Sequence, residues 1–149
     1  MKSLPAKFAF LLLAASLPLV GCGGEDGPTR YHVSGTVTYK GEPIPAGTIQ
    51  FNPDASKNNR GPSGSATIKN GKFDTATGGL GTIGGPHRVT IEAYDGQPQP
   101  ERGLAEGHPL FFGYETQLEL PQEPTSITID VPQQREPKRH ANSGNYVAP

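Results

Sequence analysis

Four histidines and a single cysteine are the side chains in this 149-residue chain most suited to metal binding or nucleophilic chemistry. The histidines lie far apart, without the paired spacing of a zinc site: His32, His87, His108 and His140. Four acidic residues fall in loop-like segments that lack the spacing of a calcium-binding loop: Asp54, Asp74, Asp95 and Glu101. We therefore expect surface histidines, solvated loop carboxylates and no metal site.

Two glycine-containing motifs resemble parts of enzyme sites. Residues 79–84 match G-x-G-x-x-G, but a dinucleotide site needs a helix directly after this turn. Pro86 and a strand-like run follow instead, so we expect a loop. Residues 61–65 (GPSGS) miss the nucleophile motif G-x-S-x-G by their last residue and indicate a turn. The motifs predict no catalytic residue and no cofactor, and we do not expect an enzyme.

Three aromatic residues cluster in a long loop: Phe111, Phe112 and Tyr114. Such rings could stack on a sugar and form a ligand-binding site. Alternatively, Phe111 and Phe112 cap the open end of the hydrophobic core. The sequence leaves both interpretations open.

The segments that position these residues have the alternating pattern of half-buried strands. Asn70-Gly71 is the strongest hairpin signal among them. Seven strands are predicted, with loops at 53–63 and 96–113: residues 31–40, 47–52, 65–69, 72–75, 88–94, 115–120 and 126–131. Lys40 and Asp130 fall on the polar phase of the first and last strands, so we expect them to face water rather than form a crosslink in the core.

Composition agrees with this assignment. The chain has 20 glycines, 16 prolines and 33% hydrophobic residues, which argues against a helical bundle or an α/β enzyme. Its 13 basic and 14 acidic residues are balanced, and no basic block suggests nucleic-acid binding. One cysteine allows no intrachain disulfide. We predict an all-β protein, a two-sheet antiparallel sandwich over residues 31–132, followed by a disordered tail at 133–149.

The N-terminal residues 1–21 have the features of an export signal. Lys2 and Lys7 accompany a 13-residue apolar stretch, Phe8–Val20, which is short for a membrane-spanning helix. The ending Leu19-Val20-Gly21-Cys22 resembles the lipobox of bacterial lipoproteins. That resemblance implies that Cys22 is lipidated and anchors the protein to a membrane without spanning it, with residues 22–30 as a flexible tether.

Five segments of the domain resemble a carboxypeptidase-regulatory-like domain: residues 33–37 (VSGTV), 41–47 (GEPIPAG), 49–51 (IQF), 70–73 (NGKF) and 85–91 (GPHRVTI). The resemblance implies a transthyretin-like, seven-stranded Greek-key sandwich. One transthyretin-like family hydrolyses an oxidised purine, but it ends in Tyr-Arg-Gly-Ser, whereas this chain ends in Asn145-Tyr146-Val147-Ala148-Pro149. The resemblance thus implies a fold rather than an activity.

Together these features predict a lipid-anchored protein on the periplasmic side, outer membrane or cell surface. Its sandwich domain would act as a non-catalytic structural or protein-interaction module, with its loops free to bind an envelope protein. The alternative is a glycan- or small-ligand-binding module that uses the loop aromatics.

Overall fold

A computed structural model describes residues 27–111 and 113–133. Within these residues nine strands contain most of the regular secondary structure, so the predicted all-β class is confirmed. Their bounds are β1 (Val33–Tyr39), β2 (Glu42–Pro43), β3 (Ala46–Pro53), β4 (Gly64–Lys69), β5 (Lys72–Asp74), β6 (Gly79–Leu80), β7 (Gly85–Tyr94), β8 (Tyr114–Leu120) and β9 (Thr125–Val131). One four-residue helix, α1 (Thr75–Gly78), lies between β5 and β6.

Hydrogen bonds join the strands into one curled and mostly antiparallel sheet. Strand β3 pairs with β4 on one side and β7 on the other, and β8 extends the sheet beyond β7. On the opposite side β5 connects β4 to β1. Strand β9 then pairs with β1 in parallel over the seven residues from Val33↔Thr125 to Tyr39↔Val131. The sequence predicts an antiparallel two-sheet sandwich, so the single hydrogen-bonded sheet and its parallel pair both depart from that prediction.

The core fills the concave side of the sheet with the apolar phase of the strands, as the alternation predicts. Fifteen buried apolar residues form one cluster: Val33, Val37, Ile44, Ile49, Phe51, Ala66, Ile68, Phe73, Val89, Ile91, Ala93, Phe111, Leu120, Ile129 and Val131. Leu118 and Ile127, on the same phases as Leu120 and Ile129, are half-buried against this cluster. Ile44 joins it from the connection between β2 and β3, outside the seven predicted strands.

Gly35 is required by the parallel pair of β1 and β9. A Cβ atom at Gly35 would overlap the carbonyl oxygen of Ile127 on β9. Since backbone atoms cannot move aside as a side-chain tip can, this position excludes every other residue unless the strands separate. The glycine therefore sets the close approach of the first and last strands of the domain.

Helix α1 begins at the last residue of the strand predicted at 72–75, and strand β6 lies within the loop predicted at 79–84. The Asp74 side chain caps α1 by accepting a hydrogen bond from the Ala76 backbone N–H at 2.8 Å. The buried Thr75 hydroxyl accepts one from the Val33 backbone N–H at 2.9 Å, which fastens α1 to the start of β1. Among the described residues, no helix is long and apolar enough to cross a membrane.

Candidate functional site

A groove of about 610 Å³ lies on the convex side of the sheet, opposite the core. It forms because β4 and β5 separate just beyond their hairpin. Strand β5 pairs with β4 through a single residue pair, Lys69↔Lys72, whereas farther along β4 pairs with β6. The residues that line the groove are Ser34, Gly35, Thr36, Thr67, Lys69, Lys72, Phe73, Asp74, Thr77, Gly78 and Ser126.

The hairpin that carries Lys69 and Lys72 is held firmly in place. Its turn residues Asn70 and Gly71 have φ of 49° and 72°, the left-handed geometry that an Asn-Gly turn favours. The Asn70 N–H donates to the Pro45 carbonyl at 2.9 Å, and the Gly71 N–H donates to the Ile44 carbonyl at 2.7 Å. Since the turn is fixed to the chain before β3, the backbone at both lysines is fixed as well.

Four side chains form a row across four neighbouring strands, which we call the hydroxyl–lysine row: Thr128, Thr36, Lys72 and Lys69. The Thr36 hydroxyl donates to the Thr128 hydroxyl at 3.2 Å. Both lysines are exposed, and neither forms an ion pair with a carboxylate of the described residues. The row therefore places two positive charges, neither of them in an ion pair among the described residues, beside two hydroxyls.

A second row, next along the strands, consists of Ser126, Ser34 and Asp74. One oxygen of the Asp74 carboxylate, Oδ1, caps α1. Beneath both rows lies Phe73, which is only 4% exposed, so its ring belongs to the core rather than to the groove surface. The groove thus presents hydroxyl, ammonium and carboxylate groups to a ligand.

A smaller cavity of about 200 Å³ lies beside Asp54, at the end of β3. Asp54 is buried, and its Oδ1 accepts hydrogen bonds from the Ser56 hydroxyl at 2.6 Å and the Ser56 N–H at 3.0 Å. The Ser56 hydroxyl bond is the main reason that the pKa of Asp54 lies below its ordinary value, although desolvation acts in the opposite direction. Arg88 also lines this cavity and lowers the same pKa through its charge.

The loop aromatics are divided between the core and its edge. Phe111 is 7% exposed and packs on Tyr39, with ring centroids 5.0 Å apart, so it lies in the core and offers no open face to a sugar. Tyr114 is half-buried against the core cluster at the start of β8. Phe112 and the proposed lipidation site Cys22 lie outside the described residues.

The expectation that the histidines lie on the surface is wrong for His87. It is 1% exposed on the buried phase of β7, where its Nδ1 is 2.9 Å from the Gly85 carbonyl oxygen and its Nε2 has no hydrogen-bond partner. Alternation could have identified it, since His87 shares the phase of Val89. His32 and His108 are exposed, and His140 lies outside the described residues. No group of three potential metal ligands occurs within the described part of the chain.

The remaining candidate sites are structural elements. Residues 79–84 contribute β6 and an isolated bridge from Thr82 to Tyr31, and strand β7 follows in place of a helix. Lys40 and Asp130 are both exposed, as their phase predicts. Asp130 accepts a hydrogen bond from the Thr38 hydroxyl at 2.7 Å, and the Lys40 Nζ lies 5.0 Å from the Tyr39 ring centroid.

Arg30 was assigned to the tether, yet its side chain is bound to the domain. Its guanidinium donates to the Ser63 carbonyl at 3.0 Å and to the Gly81 carbonyl at 2.6 Å. The ordered domain therefore begins at least one residue earlier than the sequence indicated.

Lys69, Lys72, Ser34, Thr36 and Ser126 are candidate binding residues that were not predicted from the sequence. The available signal was a lysine on each side of Asn70-Gly71, which a two-residue hairpin brings face to face. Comparisons with models of known protein families and with curated protein sequences found no match.

Proposed function

We propose that this chain is a lipid-anchored protein of the bacterial cell envelope whose β domain is a non-catalytic binding module. The observation that supports a binding function is the groove that contains the hydroxyl–lysine row. It is a shallow groove that brings hydroxyl and ammonium groups from β1, β4, β5 and β9 together on a fixed backbone. Its volume of about 610 Å³ falls within the range of about 300–1,000 Å³ that is usual for ligand sites.

The groove side chains favour binding over catalysis. The groove is lined by lysine ammonium groups, serine and threonine hydroxyls and one helix-capping carboxylate. Its lining residues do not include a nucleophile paired with a histidine base. The Ser34 and Thr36 hydroxyls lie on regular strands rather than on the strained turns that activate catalytic serines.

The lipid anchor in this proposal depends on the sequence Leu19-Val20-Gly21-Cys22. Two or more acyl chains on Cys22 would hold the protein durably at a membrane, because each buried CH₂ contributes about 0.8 kcal/mol and one chain alone is marginal. Cys22 precedes Arg30, whose side chain is hydrogen-bonded to the domain, by eight residues. The anchor would therefore keep the domain close to the membrane surface.

The proposal includes kinship with carboxypeptidase-regulatory-like domains and their Greek-key sandwich. The resemblance implies seven strands, and the seven segments predicted from alternation coincide with seven of the observed strands. The two additional strands have only two residues each. The curled sheet enclosing a single core supports a two-layer arrangement. A non-catalytic domain on a lipid tether is the role this kinship favours.

The alternative, a glycan-binding module that uses the loop aromatics, is less well supported because Phe111 lies in the core. It would depend on Phe112 and Tyr114. A glycan array that compares the wild type with Phe112→Ala tests it: retained binding by the variant, or no binding by either protein, would remove the loop aromatics from consideration.

The mass of the mature N-terminus tests the anchor. We expect the N-terminal fragment to begin at Cys22 with a diacylglyceryl adduct, and the protein to fractionate with membranes. The Cys22→Ser variant should lose both properties. An unmodified Cys22 in a protein that stays in the cytoplasm would contradict the proposal.

A further inference from the structure

We propose that the groove binds an acidic glycan, with a sugar carboxylate between Lys69 and Lys72 and the ring hydroxyls against Ser34, Thr36 and Asp74. This inference rests on the proposed function, in which the groove is the binding surface, and names the class of ligand.

The lysine pair indicates an anionic ligand. Lys69 and Lys72 are directly opposite each other in the register, and like charges in this arrangement destabilise a sheet. Neither has a carboxylate partner among the described residues. A carboxylate between the two ammonium groups would replace their repulsion with two charge-assisted hydrogen bonds. The fixed Asn70-Gly71 turn holds the backbone at both lysines in position for this contact.

The other lining residues indicate that the anion carries hydroxyl groups. Ser34, Thr36, Thr67, Thr77 and Ser126 supply hydroxyls that both donate and accept hydrogen bonds. Asp74 is on the same side of the sheet as Lys72, two residues farther along β5, and its carboxylate accepts hydrogen bonds but repels anions. A ligand with negative charge at one end and hydroxyls beside it satisfies both sides of the groove.

A purely anionic surface fits this arrangement less well. A membrane of acidic lipids would place negative charge against Asp74 as well as against the lysines. Inorganic phosphate would use the lysines and leave the Ser34 and Ser126 hydroxyls unused. The mixed polarity of the groove therefore favours an acidic sugar over either of these ligands.

The groove also lacks the surface on which neutral sugars usually stack. Phe73 is its aromatic lining residue, and that ring is 4% exposed in the core. Binding must then come from charge and hydrogen bonds, so added salt should weaken it by screening the exposed charges. The salt dependence of binding distinguishes the groove from a site built on the loop aromatics, where added salt would have little effect on binding.

Oligogalacturonate and its fully methyl-esterified form provide a matched pair of probes, because they share the same rings and differ in the carboxylate charge. The full protein is used as purified, reconstituted in neutral phosphatidylcholine vesicles if it is lipidated and free in solution if it is not. Calorimetry should detect oligogalacturonate binding at low salt and binding at least about tenfold weaker for the ester. Equal binding of the two probes, or no binding of either, would overturn the inference.

Variants locate the site. Lys69→Gln and Lys72→Gln should each weaken oligogalacturonate binding about tenfold, and Thr36→Val should weaken it about threefold. Lys57→Gln is the matched control, because the Lys57 Nζ donates to Gln117 at 2.9 Å and Lys57 is not among the groove residues. Unaltered binding in the lysine variants, or an equal loss in the control, would contradict the assigned site. Urea unfolding of each variant checks that it folds.

Two further probes identify the competing ligands. If sodium phosphate binds as tightly as oligogalacturonate, and its binding requires the lysines, the groove is a general anion site. If phosphatidylglycerol vesicles are the only probe that binds, and their binding requires the lysines, the groove contacts a membrane. Either result overturns the glycan inference. The mass of the N-terminus is measured on the same preparations, so loss of the lipid anchor is detected separately from loss of glycan binding.

Discussion

Lys69 and Lys72 lie directly opposite each other across the β4–β5 hairpin, and both side chains are exposed on the convex side of the sheet. This is the single residue pair that joins the two strands before the sheet divides to form the groove. A hairpin optimised only for stability would place opposite charges at these positions. The like-charge pair is therefore where stability and the proposed binding role conflict.

Replacing Lys69 with glutamine should raise the free energy of unfolding by about 0.2–1 kcal/mol, because it removes the repulsion from Lys72. The gain should decrease at high salt, which already screens that repulsion. Urea unfolding at two salt concentrations measures both effects. Lys57→Gln should show no such gain, since Lys57 donates a hydrogen bond to Gln117. A Lys69→Gln protein less stable than the wild type at low salt would disprove the repulsion.

Gly35→Ala should destabilise the domain by about 1–3 kcal/mol or prevent folding, because the new methyl group overlaps the Ile127 carbonyl and forces β1 and β9 apart. Thermal unfolding followed by circular dichroism measures the change. Gly27→Ala is the control: a Cβ at Gly27 meets no atom within 4 Å and its φ is not positive, so stability should stay the same. Equal melting temperatures for the Gly35→Ala protein and the wild type would show that the strands separate without cost.

The sequence predicted individual strands well because the signal is local. Alternation identified all seven longer strands and most inward-facing residues, such as Ile49 and Ile91 on β3 and β7. Strands β2 and β6 have two residues each, too few for a period of two to be recognised. His87 was missed because the strand was predicted to begin at residue 88, whereas β7 begins at Gly85 and so includes His87 on its buried phase.

The candidate site could not be predicted because it depends on which strands become neighbours. Thr36 and Thr128 are 92 residues apart, yet they exchange a hydrogen bond across the parallel β1–β9 pair. Alternation places each on a polar face but does not specify the neighbouring strand. The pairing of Lys69 with Lys72 is local and could be predicted from the Asn70-Gly71 turn. The separation of β4 from β5 beyond this pair could not be predicted.

Thr75→Val should destabilise the domain by about 1–3 kcal/mol, because the Val33 N–H would lose the hydroxyl that accepts its hydrogen bond in a buried environment. Valine has nearly the same shape, so the loss reports mainly on that hydrogen bond. Urea unfolding measures it. Thr128→Val, at an exposed position on β9, should leave stability within about 0.5 kcal/mol. Similar losses for the two variants would mean that the Val33 N–H finds another acceptor.

The lowered pKa of Asp54 should make the stability of the folded protein depend on pH. Its folded-state pKa is lowered from the ordinary 3.8, chiefly by the Ser56 hydroxyl. The folded protein therefore binds this proton less readily than the unfolded chain does. The resulting stabilisation is fully present above pH 3.8 and is lost as the pH falls from there through the folded-state pKa.

Ser56→Ala removes the main cause of the lowered pKa, so the variant should be less stable than the wild type at neutral pH, with the difference decreasing under acid conditions. Urea unfolding of both proteins at neutral pH and below pH 3.8 tests this. The contributions of the other carboxylates to the pH dependence cancel in the difference between the two proteins, because both contain them. Ser63→Ala is the control, since the Ser63 hydroxyl donates to the neutral Asn52 side chain at 2.8 Å. Its difference from the wild type should not vary with pH. Parallel stability curves for Ser56→Ala and the wild type would show that the hydroxyl does not control the ionisation of Asp54.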